Sequence, residues 1–308
     1  MRLRSDIFLL TSGPVHSPRV ISRELRWKQF SRLVILAAFL SVSHTAAQPA
    51  DRKIANEIFS EAFTHKMIDQ PVGSVVVFVG KKFLGFPYEA NTLDVPDSEQ
   101  LVCDLHSFDC VTFVENVLAL SLCIKNDRLS YDAYQNELMK IRYRGGRLQG
   151  YASRLHYFSD WIYDNARKGI VDDVTDSVGG VPYKKTINFM TTHRSSYRKL
   201  VEDSMFRQIA ACEESLRTRT MFYIPKSDIE KVQSAIQTGD IIAITSAQAG
   251  LDISHTGIAV KSESGELLFL HAPDVGEKVT MISEPLGEYL KRHAGQTGIM
   301  VARPRNPA

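Results

Sequence analysis

Tryptophan and cysteine are scarce in this chain of 308 residues, with two and four respectively. So few cysteines exclude a small disulfide-stapled scaffold, and a chain of this length buries a sufficient core without bridges. Long apolar runs are missing as well: the stretch Leu33 to Val42 is too short to cross a bilayer. No segment has the biased composition of a disordered or fibrous chain, no internal repeat is visible, and nothing reads as an interdomain linker, so a single globular domain is expected. A one-sided charge is also lacking. The formal net charge of +2 hides a surplus of +5 in residues 1 to 47, which leaves −3 for the remainder. A mildly acidic body offers no broad basic face for nucleic acid.

What is present begins with a leader. Basic residues up to Arg32, the apolar run Leu33 to Val42 and the small residues Thr45, Ala46 and Ala47 form the pattern of a secretory signal over residues 1–47. The expected mature domain is therefore 48–308, exported and periplasmic. No cysteine follows the apolar run, so no stable membrane anchor is expected. The stretch before Arg32 is long for a signal, and a start nearer Val20 is the alternative. Export would place the cysteines in an oxidising compartment, where Cys103, Cys123 and Cys212 are candidates for one bridge whose pairing stays open.

The fourth cysteine has a different setting. Cys110 lies in Phe108-Asp109-Cys110-Val111-Thr112-Phe113-Val114-Glu115, where Val114, Val117, Leu118 and Leu122 recur at helical spacing to about Ile124 and Asp109 is the expected N-cap. Free N–H groups and the positive end of the helix dipole favour a thiolate there, which makes Cys110 a candidate nucleophile. A small buried hydrophobe is the competing role for such a cysteine.

Around it, Asp51 to Lys66 reads as an amphipathic helix, and the Val-rich stretch Ser74 to Leu84 as either helix or strand. Gly85-Phe86-Pro87-Tyr88 is a turn that holds Tyr88 rigidly. Tyr131 to Tyr143 reads as a helix ended by Gly145 and Gly146. Tyr151 to Tyr163 reads as a further helix with Leu155, Phe158 and Ile162 inward; its functional alternative places Arg154, His156 and Trp161 along a groove for a polar, partly cyclic ligand such as a sugar. Asp172 to Lys185 is expected as a loop, Ser196 to Arg217 as a helix with Leu200, Met205, Ile209 and Leu216 in the core, and Lys226 to Ile236 as a short helix. Strands are expected over Gly239 to Ile244, Ser254 to Val260, Leu267 to Ala272, Lys278 to Ile282 and Gly298 to Arg303. Helices first and an antiparallel sheet second make an α+β fold.

His255 opens one expected strand and His271 closes the next, so an antiparallel hairpin brings both to one end of the sheet. If the Cys110 helix packs on that sheet, a nucleophile, a base of near-neutral pKa and an orienting group converge. The Cys110 N–H would then serve as oxyanion donor.

These motifs, taken in order as Gly85-Phe-Pro-Tyr88, Asp109-Cys110, Gly239-Asp240-Ile241, Ser254-His255-Thr-Gly-Ile-Ala and Leu270-His271-Ala272, resemble those of the NlpC/P60 cysteine peptidases. The fuller strings FDCVTFVENVLAL, YASRLHYFSDWI, GDIIAIT and SHTGIAV resemble the DUF1460 family, whose members are N-acetylmuramoyl-L-alanine amidase-like. The resemblance covers nearly all of the mature chain. It implies a papain-like fold in which helices carrying Cys110 pack on a sheet carrying the histidines. It further implies Cys110 as nucleophile, His255 as base and His271 as the third polar residue, with Tyr88 bordering the site and Asp109 preceding the nucleophile. Arg154 and His156 are placed in the substrate groove. Val111-Thr112-Phe113 stand where the wider superfamily has a small residue and a glycine, which fits the narrower family.

The implied reaction is hydrolysis of the amide between the lactyl group of N-acetylmuramic acid and L-alanine. No metal or cofactor is expected, the partners are peptidoglycan or muropeptide fragments, and the chain is expected as a monomer. Three rivals stand beside it: a γ-D-glutamyl-diamino acid endopeptidase with the same triad, a zinc site built from Cys110, His255 and His271, and a non-catalytic wall-binding module.

Overall fold

The computed structural model describes residues 49–307, and the expected signal segment lies outside them. The elements in chain order are α1 Pro49–Thr64, α2 Val72–Lys82, α3 Cys110–Lys125, α4 Tyr131–Arg142, α5 Phe158–Arg167, β1 Val171–Asp173, β2 Val181–Pro182, α6 Phe189–Thr192, α7 Asp203–Arg217, β3 Phe222–Pro225, α8 Ile229–Val232, β4 Ile241–Ser246, β5 Ile253–Lys261, β6 Leu267–His271, β7 Thr280–Met281, α9 Leu286–Arg292 and β8 Gln296–Pro304. The α+β layout is as expected. Among the described residues no helix is long and apolar enough to cross a membrane.

The sheet is antiparallel and runs β2-β3-β8-β4-β5-β6-β7, with β1 beside β3 on the outer edge of β8. Alternation along its strands explains the layers. Ala243, Ile258, Val260, Leu270 and Met300 belong to the core shared with the helices, whereas Ile242, Ile244, Ala259, Phe269 and Val301 belong to a second core with Ile229, Leu286 and Leu290 of α8 and α9. Both faces are covered, so β4 reads as one continuous apolar run.

Helix α3 is the centre of the first layer. Its apolar residues go all the way round because it is buried on every side, with Phe113, Val117 and Leu120 fully enclosed. Truncating Phe113 to alanine would cost about 3–5 kcal/mol. The Gly239-Asp240 motif is structural. Gly239 has φ +88°, and a Cβ there would fall 2.2 Å from the Cα of Gly73, so α2 and the start of β4 touch backbone to backbone. Asp240 is a fork for Arg303, which donates to its two oxygens at 2.8 Å each.

Several local expectations change. Ser74 to Leu84 resolves as helix. The stretch Tyr151 to Tyr163 is not one helix: a 3₁₀ turn at Tyr151–Ser153 leads into extended backbone, and α5 starts only at Phe158. Arg154 pairs across an isolated antiparallel bridge with Tyr143, which holds this part out of helical shape. The expected loop Asp172 to Lys185 contains β1 residues and β2, and the helix expected from Ser196 begins at Asp203 after two 3₁₀ turns. Strand β3 and helix α9 were not anticipated. All four cysteines are free, so the bridge among Cys103, Cys123 and Cys212 is not formed.

Candidate active site

Asp109 has extended backbone and caps α3 with a reciprocal pair: the Thr112 N–H donates to Asp109 Oδ1 at 2.7 Å, and the Asp109 N–H donates to Thr112 Oγ1 at 2.9 Å. The cap sets Cys110 at the first helical position. Thr256 of β5 donates its hydroxyl to the Cys110 carbonyl at 2.8 Å and thereby ties the start of α3 to the sheet.

His255 and His271 sit on the face of the sheet that carries Phe269 and meets α9. Their rings are perpendicular, with His255 Nε2 and His271 Nδ1 hydrogen-bonded at 2.7 Å. That bond occupies one nitrogen of His255 and leaves Nδ1 for another partner. The helix start and the histidine pair meet around the end of the sheet, where Cys110, His255, His271 and Tyr88 line one cavity of about 560 Å³. Tyr88 is placed by its neighbours: its N–H donates to the Glu277 carbonyl at 3.0 Å, while the Phe108 N–H donates to the Pro87 carbonyl at 3.1 Å. The cavity also draws Asp274, Tyr289, His293 and Gln296 from the β6–β7 loop, α9 and the start of β8. Sequence reading missed these four. The i, i+4 spacing of Tyr289 on α9 and His293 just after it was the available signal, since it brings their tilted rings to 4.3 Å.

Electrostatics run against the expectation of a resting thiolate. Burial first, then the Asp109 carboxylate, push the Cys110 thiol up to about 12; hydrogen bonds from Thr256 and from the Cys110 backbone act in the opposite direction. Burial and the nearby His293 lower His255 to about 4, and burial, His255 and His293 lower His271 to about 3. At neutral pH the resting groups are a thiol and two neutral imidazoles. Burial holds the Tyr88 hydroxyl protonated, with Cys110 and Asp109 adding to the effect, so it is a hydrogen-bond donor.

Arg154 and His156 do not line this cavity. Arg154 is 7% exposed and is held by Asp94 at 2.5 Å and Glu99 at 3.4 Å. His156 bonds the Tyr151 carbonyl through Nε2 at 2.8 Å, and burial, then Arg154, lower it to about 3. Trp161 is fully buried and stacks on Phe158 at 4.6 Å. Arg154 and Trp161 are buried and His156 is half-buried, and none of the three residues expected along a groove lines the cavity of Cys110. Asp109 acts on the site through the helix cap and its charge. Among the described residues no group of three or more histidine, cysteine or acidic side chains has the arrangement of a metal site. The facing nitrogens of His255 and His271 bond to each other rather than converging on a shared point.

Over residues 78–299 the chain matches the profile of a family described as AmiA-like, N-acetylmuramoyl-L-alanine amidase-like. Among solved structures, an N-acetylmuramoyl-L-alanine amidase from Bacteroides uniformis is similar at 37% identity and a TM-score of 0.72, over 76% of this chain and 99% of that one. A candidate xylanase from Bacteroides fragilis is similar at 38% identity and a TM-score of 0.68, over 73% of this chain and 99% of that one. A DUF1460 protein from Legionella pneumophila shares the fold at 24% identity and a TM-score of 0.63, over 84% of this chain and 98% of that one. No curated protein sequence matches the chain.

Proposed function

Since the chain belongs to the N-acetylmuramoyl-L-alanine amidase-like family of peptidoglycan hydrolases, we propose that it cleaves the amide between the lactyl group of N-acetylmuramic acid and L-alanine with Cys110 as nucleophile, in a papain-like arrangement. The observation that carries this reading is the cavity shared by Cys110 and the hydrogen-bonded His255–His271 pair, with His255 Nδ1 left over.

The chemistry follows from the protonation states. A thiol near 12 beside an imidazole near 4 does not ionise at rest, so the proton leaves Cys110 for His255 Nδ1 as the Sγ–carbon bond forms. His271, accepting from His255 Nε2, fixes the tautomer and shares the positive charge as it develops. The negative oxygen faces the Cys110 N–H at the start of α3 and the protonated Tyr88 hydroxyl. Collapse breaks the carbon–nitrogen bond, and His255 gives the proton to the L-alanine amine, leaving a thioester on Cys110. Water then attacks the thioester as His255 takes its proton, releasing the muramoyl carboxylate and restoring the thiol.

The xylanase name carried by one neighbour fits less well. Glycoside hydrolysis uses a pair of carboxyl groups flanking the bond, whereas the carboxylates of this cavity, Asp274, Glu277 and Glu284, stand at its exposed or half-exposed rim and the deeper groups are a thiol and two imidazoles. Residues 1–47 are proposed as a signal that exports the enzyme to the periplasm, where its substrate lies, and the mature chain is proposed to act as a monomer. Mass spectrometry of digested muropeptides tests the reaction. Free stem peptide starting at L-alanine is expected from the wild-type protein, and none from Cys110→Ala. Unchanged turnover by Cys110→Ala would remove the nucleophile assignment, and cleavage after D-glutamate would make the protein an endopeptidase.

A further inference from the structure

A second and larger cavity, about 710 Å³, lies beside the catalytic one. The extended segment ending at Glu89 forms the wall between them. Side chains alternate along it: Tyr88 lines the catalytic cavity, while Pro87 and Glu89 line the second. The second cavity is also lined by Asp104 and Ser107, just ahead of Cys110, and by Asp51 of α1.

Its charge is one-sided. Asp51, Glu89 and Asp104 line it, and no lysine or arginine does; His106 is the one lining residue able to carry positive charge, 3.6 Å from Asp51. Glu89 and Asp104 both take the Ser107 hydroxyl at 2.8 Å, although that group has a single proton to donate. Asp51 is 2% exposed and has the Leu105 N–H at 2.8 Å as a donor. An independent feature marks the same place. Tyr131 is 1% exposed and lines this cavity, and its hydroxyl meets no nitrogen or oxygen partner among the described residues, with the Cys103 thiol and the Asp51 carboxylate as polar neighbours. Asp104 also accepts the His106 and Ser107 N–H groups at 2.7 and 3.3 Å. A buried hydroxyl without a nitrogen or oxygen partner, together with three carboxylates in a lining that has no lysine or arginine, calls for a ligand that brings both polar atoms and positive charge.

We propose that this cavity is a subsite for a primary ammonium group, namely the side-chain amine of the diamino acid in the wall peptide. The inference rests on the amidase reading above and adds the substrate feature that the enzyme selects. A stem peptide with its L-alanine at Cys110 places its third residue about 7 Å farther along, at about 3.3–3.6 Å per residue. A peptide that crosses the segment of Tyr88 would present that residue to the second cavity, which Pro87 and Glu89 line from the other side.

The test uses a muramoyl-L-alanyl-γ-D-glutamyl-diaminopimelate substrate and the same compound with the free side-chain amine acetylated. Acetylation should raise KM about tenfold, the equivalent of roughly 1.4 kcal/mol, and leave kcat within about twofold. Glu89→Gln alone should narrow that gap, and Asp51→Asn combined with Glu89→Gln should close it; the single variant serves if loss of the Asp51 contact to Leu105 impairs folding. Equal KM values for the two substrates in the wild-type protein would overturn the subsite and leave the amidase reading intact. If neither substrate is cut, the amidase reading fails. Calorimetry with Cys110→Ala protein then decides the subsite alone: the free-amine compound must bind about tenfold tighter than the acetylated one, and equal binding overturns it.

Discussion

Two buried histidine regions, the His255–His271 pair and the Arg154–His156 segment, share most of the traits used to recognise an active site, and they differ in one respect. In both, burial pulls imidazoles far below their ordinary range, and in both an aromatic ring lies close, Phe269 at 5.8 Å from His255 and Tyr151 at 4.3 Å from His156. The first pair faces a cavity with a thiol beside it. In the second, Arg154 is held by Asp94 and Glu99 and lies over the Tyr151 ring, His156 bonds the Tyr151 carbonyl, and neither side chain lines that cavity. A shifted pKa marks an unusual environment; an opening through which a substrate arrives marks a site.

The largest effects should separate the two regions directly. Cys110→Ala and His255→Ala should each lower kcat by at least about 10³-fold while thermal unfolding stays close to wild type, in line with what removal of a nucleophile or its base does in comparable enzymes. His156→Gln should do the reverse, keeping kcat within about threefold and lowering stability. Steady-state kinetics beside thermal denaturation reads both. A His156 variant with normal stability and lost activity would return that residue to the substrate groove.

Arg154 offers the next largest effect. Its guanidinium faces Glu99, whose side chain is 4% exposed and whose carboxyl burial pushes above its ordinary value while Arg154 pulls it down. Arg154→Met should cost about 3 kcal/mol at neutral pH, because it leaves that carboxylate buried without its counter-ion. Removing Arg154 raises the folded-state pKa of Glu99 further above the unfolded value. The lost stability is therefore recovered as pH falls and Glu99 takes up a proton in the folded protein. Denaturant unfolding at pH 7 and pH 4.5 should show the gap between variant and wild type shrinking at the lower pH. A pH-independent gap would mean that Arg154 acts through packing alone.

These outcomes bear on what could be seen in the sequence. The Cys110 helix was legible because its determinants are local: Asp109 before the thiol, Thr112 to complete the cap, and an unbroken apolar run behind them. The two histidines were legible as strand ends because the Glu263 to Glu266 turn fixes their hairpin. The shape of Tyr151 to Tyr157 was not, since Arg154 is drawn out by acids about sixty residues earlier, beyond the range of any local periodicity. Strand β3, four residues long and ending in Pro225, and α9, seven residues long, are too short to leave a period. With α9 went Tyr289 and His293, one wall of the cavity.

The acid side of the pH profile has a smaller effect to show. With His255 lowered to about 4, the neutral imidazole that the proposed mechanism needs as base persists as pH falls well past the ordinary value near 6.5. The acid limb of kcat/KM should therefore fall near pH 4, where an unperturbed histidine would give a limb about two units higher. A limb at 6 to 7 would show that the base is less desolvated than His255 is in this fold.

The smallest effect concerns Asp109, which serves the site in two opposed ways. Its Oδ1 accepts the Thr112 N–H and so places Cys110 at the positive end of α3, yet its negative charge is the second cause, after burial, of the raised thiol pKa. Asparagine caps a helix about as well as aspartate, so Asp109→Asn removes the charge and keeps the placement. The Cys110 thiol pKa should fall by less than about one unit, corresponding to less than about 1.4 kcal/mol. At any fixed pH below that pKa the thiolate fraction then rises, and alkylation by iodoacetamide at pH 8 should quicken by a few-fold. His156 and Arg154 variants should leave that rate unchanged, because the groups that shift the thiol are Asp109, Thr256 and its own helix start. If Asp109→Asn slows alkylation, the cap depends on the full negative charge, and the helix start that defines the site is held by electrostatics as much as by hydrogen bonding.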